Sequence, residues 1–290
     1  MKKILVFGGT RFFGKKLIDR LIEHGCDVTI ATRGNTADDF GDRVKRVQLD
    51  RSVDDFRWDQ LREQKWDVVY DNICYNHRDA EIAVNKLSGK TEKYIFTSTL
   101  SVYDFTEKAL VEEDFSPYDY ALPSKDAELN YAEGKRAAEA YFFQKSDLNV
   151  TAMRIPIVLG VDDYTKRLHW HIEKIAKGEE IGFPNIEAKM GFVSSDEAAD
   201  ALFWLKDQPA QGPINICSEG ILSLKELIGQ IEKETGKSVI LAKNVTEKNH
   251  SPFGVPKSWY MSLDQAKAAG YKPKELQTWL FPLIKTLEWR

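Results

Sequence analysis

The chain has only three cysteines, Cys26, Cys74 and Cys217, scattered with no C-x-x-C pair. Thiols so few and so separated build neither a disulfide framework nor a thiolate metal site, and a reducing compartment is expected. No stretch approaches the roughly 18 uninterrupted apolar residues of a membrane helix. Met1-Lys2-Lys3 runs straight into Ile4-Leu5-Val6-Phe7. That run is too short for a secretory signal and lacks a small-residue cleavage site, so a cytoplasmic protein without membrane contact is expected. An excess of one charge is missing too: 41 Lys and Arg stand against 45 Asp and Glu, for a net charge of -4. Without a basic surplus a polyanion is hard to coat, which disfavours nucleic acid as the partner. Internal repeats and low-complexity tracts are also lacking. What remains is a chain of 290 residues, 42% apolar and 30% charged. It can bury a full core and is long enough for one large α/β unit with a smaller lobe appended.

Up to residue 155, short β-rich runs alternate with segments of helical period, the pattern of a parallel sheet covered on both faces. Six strands are predicted: Ile4–Phe7, Asp27–Ala31, Val44–Leu49, Asp67–Asp71, Lys93–Thr97 and Asn149–Arg154. Most are near-continuous apolar runs, as buried parallel strands require. A helix is predicted over Phe13–His24, where Leu17, Leu21 and Ile22 share a face and Gly25 suits the left-handed position that ends it. Further helices are predicted over 126–145, 195–206 and 222–235. After Arg154 the rhythm loosens, and Gly and Pro cluster at Gly178, Gly182, Pro184, Pro209, Gly212 and Pro213.

Directly after the first strand comes Gly8-Gly9-Thr10-Arg11-Phe12-Phe13-Gly14, and then a helix. Glycines in so tight a turn bring backbone N–H groups close to a ligand at a helix N-terminus, which is a phosphate site. Gly8, Thr10, Arg11, Phe12, Phe13 and Gly14 are the expected dinucleotide contacts. The second strand ends in Ala31-Thr32-Arg33-Gly34, where an acidic residue would accept from the free 2'-hydroxyl of NAD. Arg33, with Arg11, could instead grip a 2'-phosphate, so NADP is the expected cofactor and NAD the second candidate. The fold class is therefore α/β, a Rossmann-type doubly wound parallel sheet with a smaller C-terminal substrate lobe. Residues 1–155 are expected to form the dinucleotide-binding domain. Residues 156–290 mainly form the substrate lobe, with some segments returning to the sheet.

Tyr131 and Lys135 are four apart on a predicted helix and so share a face. A free phenol ionises near ~10, too high for proton transfer at neutral pH, but a nearby ammonium and a cationic nicotinamide both stabilise the phenolate. The tyrosine becomes a usable acid or base.

The glycine loop, Asp50-Arg51, the run from Thr97 to Tyr103, Tyr131-Ala132-Glu133-Gly134-Lys135 and the run from Gly191 to Asp200 occur in order along the chain. Together they resemble the extended or atypical branch of the short-chain dehydrogenase/reductase superfamily, the NAD(P)-dependent epimerase/dehydratase family, over nearly the whole chain. The resemblance implies that Asp50 and Arg51 contact the adenine and that Asn72, Ile73 and Cys74 line the dinucleotide. It implies that Lys135 also holds the nicotinamide ribose and that Thr99 positions the reacting oxygen beside Tyr131. Arg11 replaces the usual middle glycine, as in atypical members. Leu100-Ser101 stands where sugar-nucleotide dehydratases place an Asp-Glu pair, which disfavours dehydration.

Substrate contacts are expected from Tyr103 and from the stretch Gly160–Trp170, chiefly Arg167 and Trp170, where cations and aromatics mix. His169-Trp170-His171 is not read as a metal site, because alternating residues on a helix face opposite sides. The acids of 195–206 are expected to cap that helix or face solvent, in a segment that packs the lobe interface. The resulting function is an NAD(P)-dependent oxidoreductase or epimerase acting at a secondary alcohol or ketone, with a nucleotide sugar among the candidate substrates. A homodimer is the assembly that the resemblance suggests. The alternative is an RNA-binding or nucleotide-sensing protein on the same fold, because the loop with Arg11 also resembles that of chloroplast stem-loop RNA-binding proteins.

Overall fold

A computed structural model describes residues 1–209 and 212–287. The chain runs β1 (Lys3–Phe7), α1 (Phe12–Glu23), β2 (Asp27–Thr32), β3 (Lys45–Gln48), α2 (Asp59–Arg62), β4 (Val68–Asp71), α3 (His77–Leu87), β5 (Tyr94–Thr99), α4 (Tyr131–Lys145) and β6 (Val150–Ile155). It continues through β7 (Ile157–Leu159), α5 (Arg167–Lys177), β8 (Glu180–Ile181), β9 (Lys189–Met190), β10 (Phe192–Ser194), α6 (Ser195–Leu205) and β11 (Gly212–Asn215). Last come β12 (Leu222–Ser223), α7 (Leu224–Thr235), β13 (Ile240–Leu241), α8 (Asp264–Ala268) and α9 (Leu276–Thr286).

Seven strands pair in parallel in the order β3-β2-β1-β4-β5-β6-β11. This is the Rossmann-type doubly wound sheet. All six strands expected from the pattern are present, and β11 is a segment that returns to the sheet edge from the C-terminal half. Successive residues of β1 point to opposite faces. Ile4 and Val6 pack with Leu17, Ile18 and Leu21 of α1 and Ala198 and Leu202 of α6. Leu5 and Phe7 pack with Ala80, Ala83 and Leu87 of α3 and Phe142 of α4. Each fully buried Leu, Ile or Phe among these contributes roughly 1.5–3 kcal/mol over exposure. A third cluster joins Leu168 and Ile172 of α5, Leu227 and Ile231 of α7 and Leu280 of α9.

Two helix boundaries and one charge assignment differ from the sequence pattern. Helix α4 starts at Tyr131 rather than 126, because Asn130 caps it: its side chain accepts from Glu133 N at 3.0 Å while Glu133 Oε2 accepts from Asn130 N at 3.3 Å. Ser223 and Glu226 form the same reciprocal box at the start of α7, so that helix begins two residues late and ends at Gly236, φ 66°. The acids of α6 do not face solvent freely. Asp196 and Asp200 pair with Lys16 and Arg20 of α1, and Glu197, 1% exposed, accepts from Tyr271 Oη at 3.1 Å and Lys274 N at 2.7 Å. The segment thus ties α1 to the C-terminal region through ion pairs and buried hydrogen bonds. No helix among the described residues is long and apolar enough to cross a membrane.

Candidate active site

The chain leaves β1 outward to β2 and β3, then crosses back to β4, and at this reversal the carboxyl ends of the strands open a cleft. Its volume is about 730 Å³. Gly8 at its rim has φ 76°, which glycine adopts without penalty. A Cβ on Gly14 would strike the carbonyl oxygen of Gly8, so the turn closes only with glycine at both places. Arg11 is extended, φ -141° and ψ 156°, a conformation open to any residue; this is why arginine is tolerated in the loop.

Gly8, Thr10, Arg11, Phe12, Phe13, Gly14, Arg33, Asp50, Arg51, Asn72 and Ile73 all line this one cleft, together with Thr99, Tyr131, Lys135 and Arg167. Tyr131 opens the helix α4 and is 54% exposed, while Lys135, one turn on, is buried. Lys135 Nζ donates to the Thr97 carbonyl at 2.8 Å. Thr99 closes β5; its Oγ1 accepts from Ser101 N at 3.1 Å and lies 3.3 Å from Ser101 Oγ. Thr97 Oγ1 donates to Asn72 Oδ1 at 2.7 Å and Asn72 Nδ2 donates to Gly8 O at 3.3 Å, which ties three strand ends together.

The electrostatics divide the cations in two. Arg51 is buried and its guanidinium pairs with Asp71 and lies 3.5 Å from Asp79, so it forms the cleft wall rather than a free contact. Asp71 also accepts from Tyr94 Oη at 2.6 Å. Arg11 and Arg33 are exposed, and neither guanidinium makes an ion pair or hydrogen bond among the described residues. Arg11 lies 6.0 Å from the ring centre of Tyr164. The Ser52 hydroxyl and N–H, with Arg33 beyond, hold Asp50 below the usual carboxylate range.

Three expected contacts do not reach the cleft. Cys74 is fully buried, since Ile73 before it takes the cleft side and the thiol turns inward towards the Asn76 carbonyl. Tyr103 is enclosed below β5: its hydroxyl donates to Asn215 Oδ1 at 2.7 Å and accepts from Arg154 Nη1 at 2.8 Å. Trp170 packs on the C-terminal cluster, with its ring 5.6 Å from Lys174 Nζ. Conversely, Tyr75, Ser101, Tyr164 and Trp259 line the cleft without having been singled out. Ser101 and Tyr164 lay inside the motifs quoted above, whereas Trp259 arrives through a remote backbone bond, its N–H to Lys189 O at 2.8 Å, and has no local signal.

Residues 4–217 match the NAD dependent epimerase/dehydratase family. The chain belongs to that family. In sequence it is 28% identical over 302 residues to the chloroplast stem-loop binding protein of 41 kDa b of Arabidopsis thaliana, covering 94% of this chain and 75% of the relative. In structure it is similar to UDP-glucose 4-epimerase of Thermotoga maritima, solved with UDP-glucose: TM-score 0.74, 19% identity, 98% of this chain and 97% of the other. UDP-glucuronic acid 4-epimerase of Bacillus cereus, solved with NAD, gives a TM-score of 0.71 at 18% identity, with 98% and 96% covered. The family is one of NAD dependent epimerases and dehydratases.

Proposed function

We propose that the protein inverts or oxidises a secondary alcohol of a nucleotide-linked sugar, using NADP held in the cleft between β1 and β4. The observation that carries this is an exposed phenol beside a buried ammonium, Tyr131 and Lys135, in the same cleft as the glycine turn. The cleft fits a dinucleotide on three counts. It lies at the topological switch point, its glycine loop admits no Cβ at Gly14, and Lys135, with three donors, has a single hydrogen-bond acceptor among the described residues. Gly8, Thr10, Arg11, Phe12, Phe13 and Gly14 would hold the diphosphate, Asp50 and Arg51 would border the adenine, and Asn72 and Ile73 would line the path to Lys135. Arg33 supports the NADP preference, because its guanidinium, without an ion pair among the described residues, follows the end of β2 where an acid would select NAD.

The bound nicotinamide would supply the hydride acceptor and donor. Thr99, with Ser101 beside it, orients the substrate oxygen. Tyr131 takes the hydroxyl proton as the carbonyl forms and returns it in the reverse step, while the Lys135 ammonium stabilises the phenolate. At the dehydratase position Leu100 is 2% exposed and carries no carboxyl, which favours inversion or oxidation over loss of water. Arg167, with Nε donating to Thr165 Oγ1 at 3.0 Å, would meet the substrate phosphates from the opposite wall. The UDP-sugars bound or named for the structural neighbours support this substrate class.

In the same proposal residues 1–155 bind the dinucleotide, and residues 156–290 mainly bind substrate. The chain works in the cytoplasm as a homodimer, and its three free thiols suit a reducing compartment. The name of the Arabidopsis relative points to stem-loop binding, but a net charge of -4 argues against an RNA surface. The test is incubation with UDP-hexoses and NADP or NAD, with nuclear magnetic resonance detection of inverted or oxidised sugar. Turnover that Tyr131→Phe abolishes supports the proposal; salt-dependent stem-loop affinity with no dinucleotide binding would replace it.

A further inference from the structure

The charge of Lys135 is met in an unusual way. The side chain is 2% exposed, and no carboxylate among the described residues lies within ion-pair distance of it. A buried cation without a counter-ion is costly. Besides the Thr97 carbonyl, three aromatic rings surround the ammonium: Phe96 with its centre at 4.8 Å, Tyr75 at 5.0 Å and Tyr131 at 6.0 Å. Ring faces attract cations, and more so when water is excluded.

Phe96 belongs to the sheet core, whereas Tyr75 stands on the loop between β4 and α3, 48% exposed and on the cleft side. Its backbone is pinned twice. Its N–H donates to Asp79 Oδ2 at 2.8 Å, and its carbonyl lies against Gly134, where any Cβ would collide with it. Helix α4 is therefore seated directly on the Tyr75 backbone, and the Tyr75 and Tyr131 ring centres are 6.5 Å apart.

We propose that Tyr75 is a positioning residue: its ring is the cleft-side wall that holds the Lys135 ammonium under Tyr131 and so governs the proton transfer. This rests on the acid–base role proposed for Tyr131 and Lys135. The role belongs to the ring and not to the hydroxyl: it is the ring centre that lies 5.0 Å from the ammonium, while partial desolvation and the neighbouring Tyr164 and Tyr131 raise the half-exposed phenol above its ordinary value. The other titratable groups whose charge reaches it are Asp71 at the end of β4 and Asp79 on α3, with the Lys135 ammonium against its ring.

The experiment is a pH titration of near-ultraviolet phenolate absorbance on the full chain, with the Tyr131 signal taken as the part that Tyr131→Phe removes. An ammonium held less well stabilises the phenolate less, so the phenol keeps its proton to higher pH. Tyr75→Leu is expected to raise the Tyr131 midpoint by about one pH unit. Tyr75→Phe, which keeps the ring, is expected to hold it in place, and Tyr75→Met serves as a second ring-free variant. In a Lys135→Met background, Tyr75→Leu is expected to produce no further shift. An unmoved midpoint in Tyr75→Leu, an equal shift in Tyr75→Phe, or the same shift without Lys135 would each overturn the assignment. Dinucleotide titration of the same preparations separates the two readings: loss of binding in the unaltered protein removes the proposed function, while the phenolate comparison still decides the role of Tyr75.

Discussion

Glu139 and Arg154 form an ion pair with neither side chain exposed, Arg154 Nη2 lying 2.6 Å from Glu139 Oε2. Arg154 Nη1 also donates to the Glu112 carbonyl and Arg154 Nη2 to that of Phe115, at 2.8 and 3.0 Å, and Glu139 accepts from Ser98. The pair thus fixes the end of β5, where Thr99 sits, to β6 and α4. Removing one member leaves the other charged and buried. Glu139→Leu is expected to cost about 3–5 kcal/mol in chemical denaturation, and the double change with Arg154→Met to recover part of it. A loss under about 1 kcal/mol would show that the pair does not hold this layer together.

Gly14 makes the glycine turn possible by admitting the Gly8 carbonyl against its own backbone. Gly14→Ala is expected to weaken dinucleotide binding at least about tenfold in calorimetry. Gly229→Ala, on a helix with open space around its Cα, is expected to leave binding alone and to raise stability slightly. Equal effects of the two changes would separate the loop from the ligand.

Tyr131→Phe removes a hydroxyl and little else. The kcat on any substrate that the protein turns over is expected to fall by about 10²–10⁴, while the dinucleotide Kd stays within about twofold. A Phe variant with unreduced kcat would assign the proton to another group.

His171 is stacked between Phe183 and Phe253, and its Nε2 lies 2.7 Å from Ser251 Oγ. Burial pushes it from 6.5 down to about 4. The folded protein keeps the ring neutral while the unfolded chain takes up a proton below the ordinary value. The associated stability is complete above pH 6.5 and is lost as the pH falls towards about 4, by roughly 3 kcal/mol in all. Urea melts across that window are expected to show a steeper decline than His171→Gln does. Parallel slopes would contradict a neutral, buried His171.

The sheet was legible because parallel strands buried on both faces leave near-continuous apolar runs, and Ile4–Phe7 is such a run. The glycine turn and the spacing of Tyr131 and Lys135 were legible because their constraints are local. Cys74 does not reach the cleft because successive residues at a strand end turn to opposite sides, and Tyr103 does not because the turn after β5 carries it to Asn215 and Arg154, partners far off in sequence. The start of α4 was missed because the Asn130–Glu133 box competed with a helical pattern that ran further upstream. Trp259 reaches the cleft by a pairing with Lys189 that no neighbouring residue announces.

In the function proposed above, the cleft between β1 and β4 holds a dinucleotide with the exposed guanidinium of Arg33 on its 2'-phosphate. Parallel calorimetric titration of nucleotide-free protein with NADPH and NADH tests it most directly. NADPH is expected to bind more tightly, with Arg33→Ala removing about 1.5–3 kcal/mol of that advantage and leaving NADH unchanged. Tighter NADH binding would contradict the role of Arg33, and failure of both to bind would contradict the account at its base.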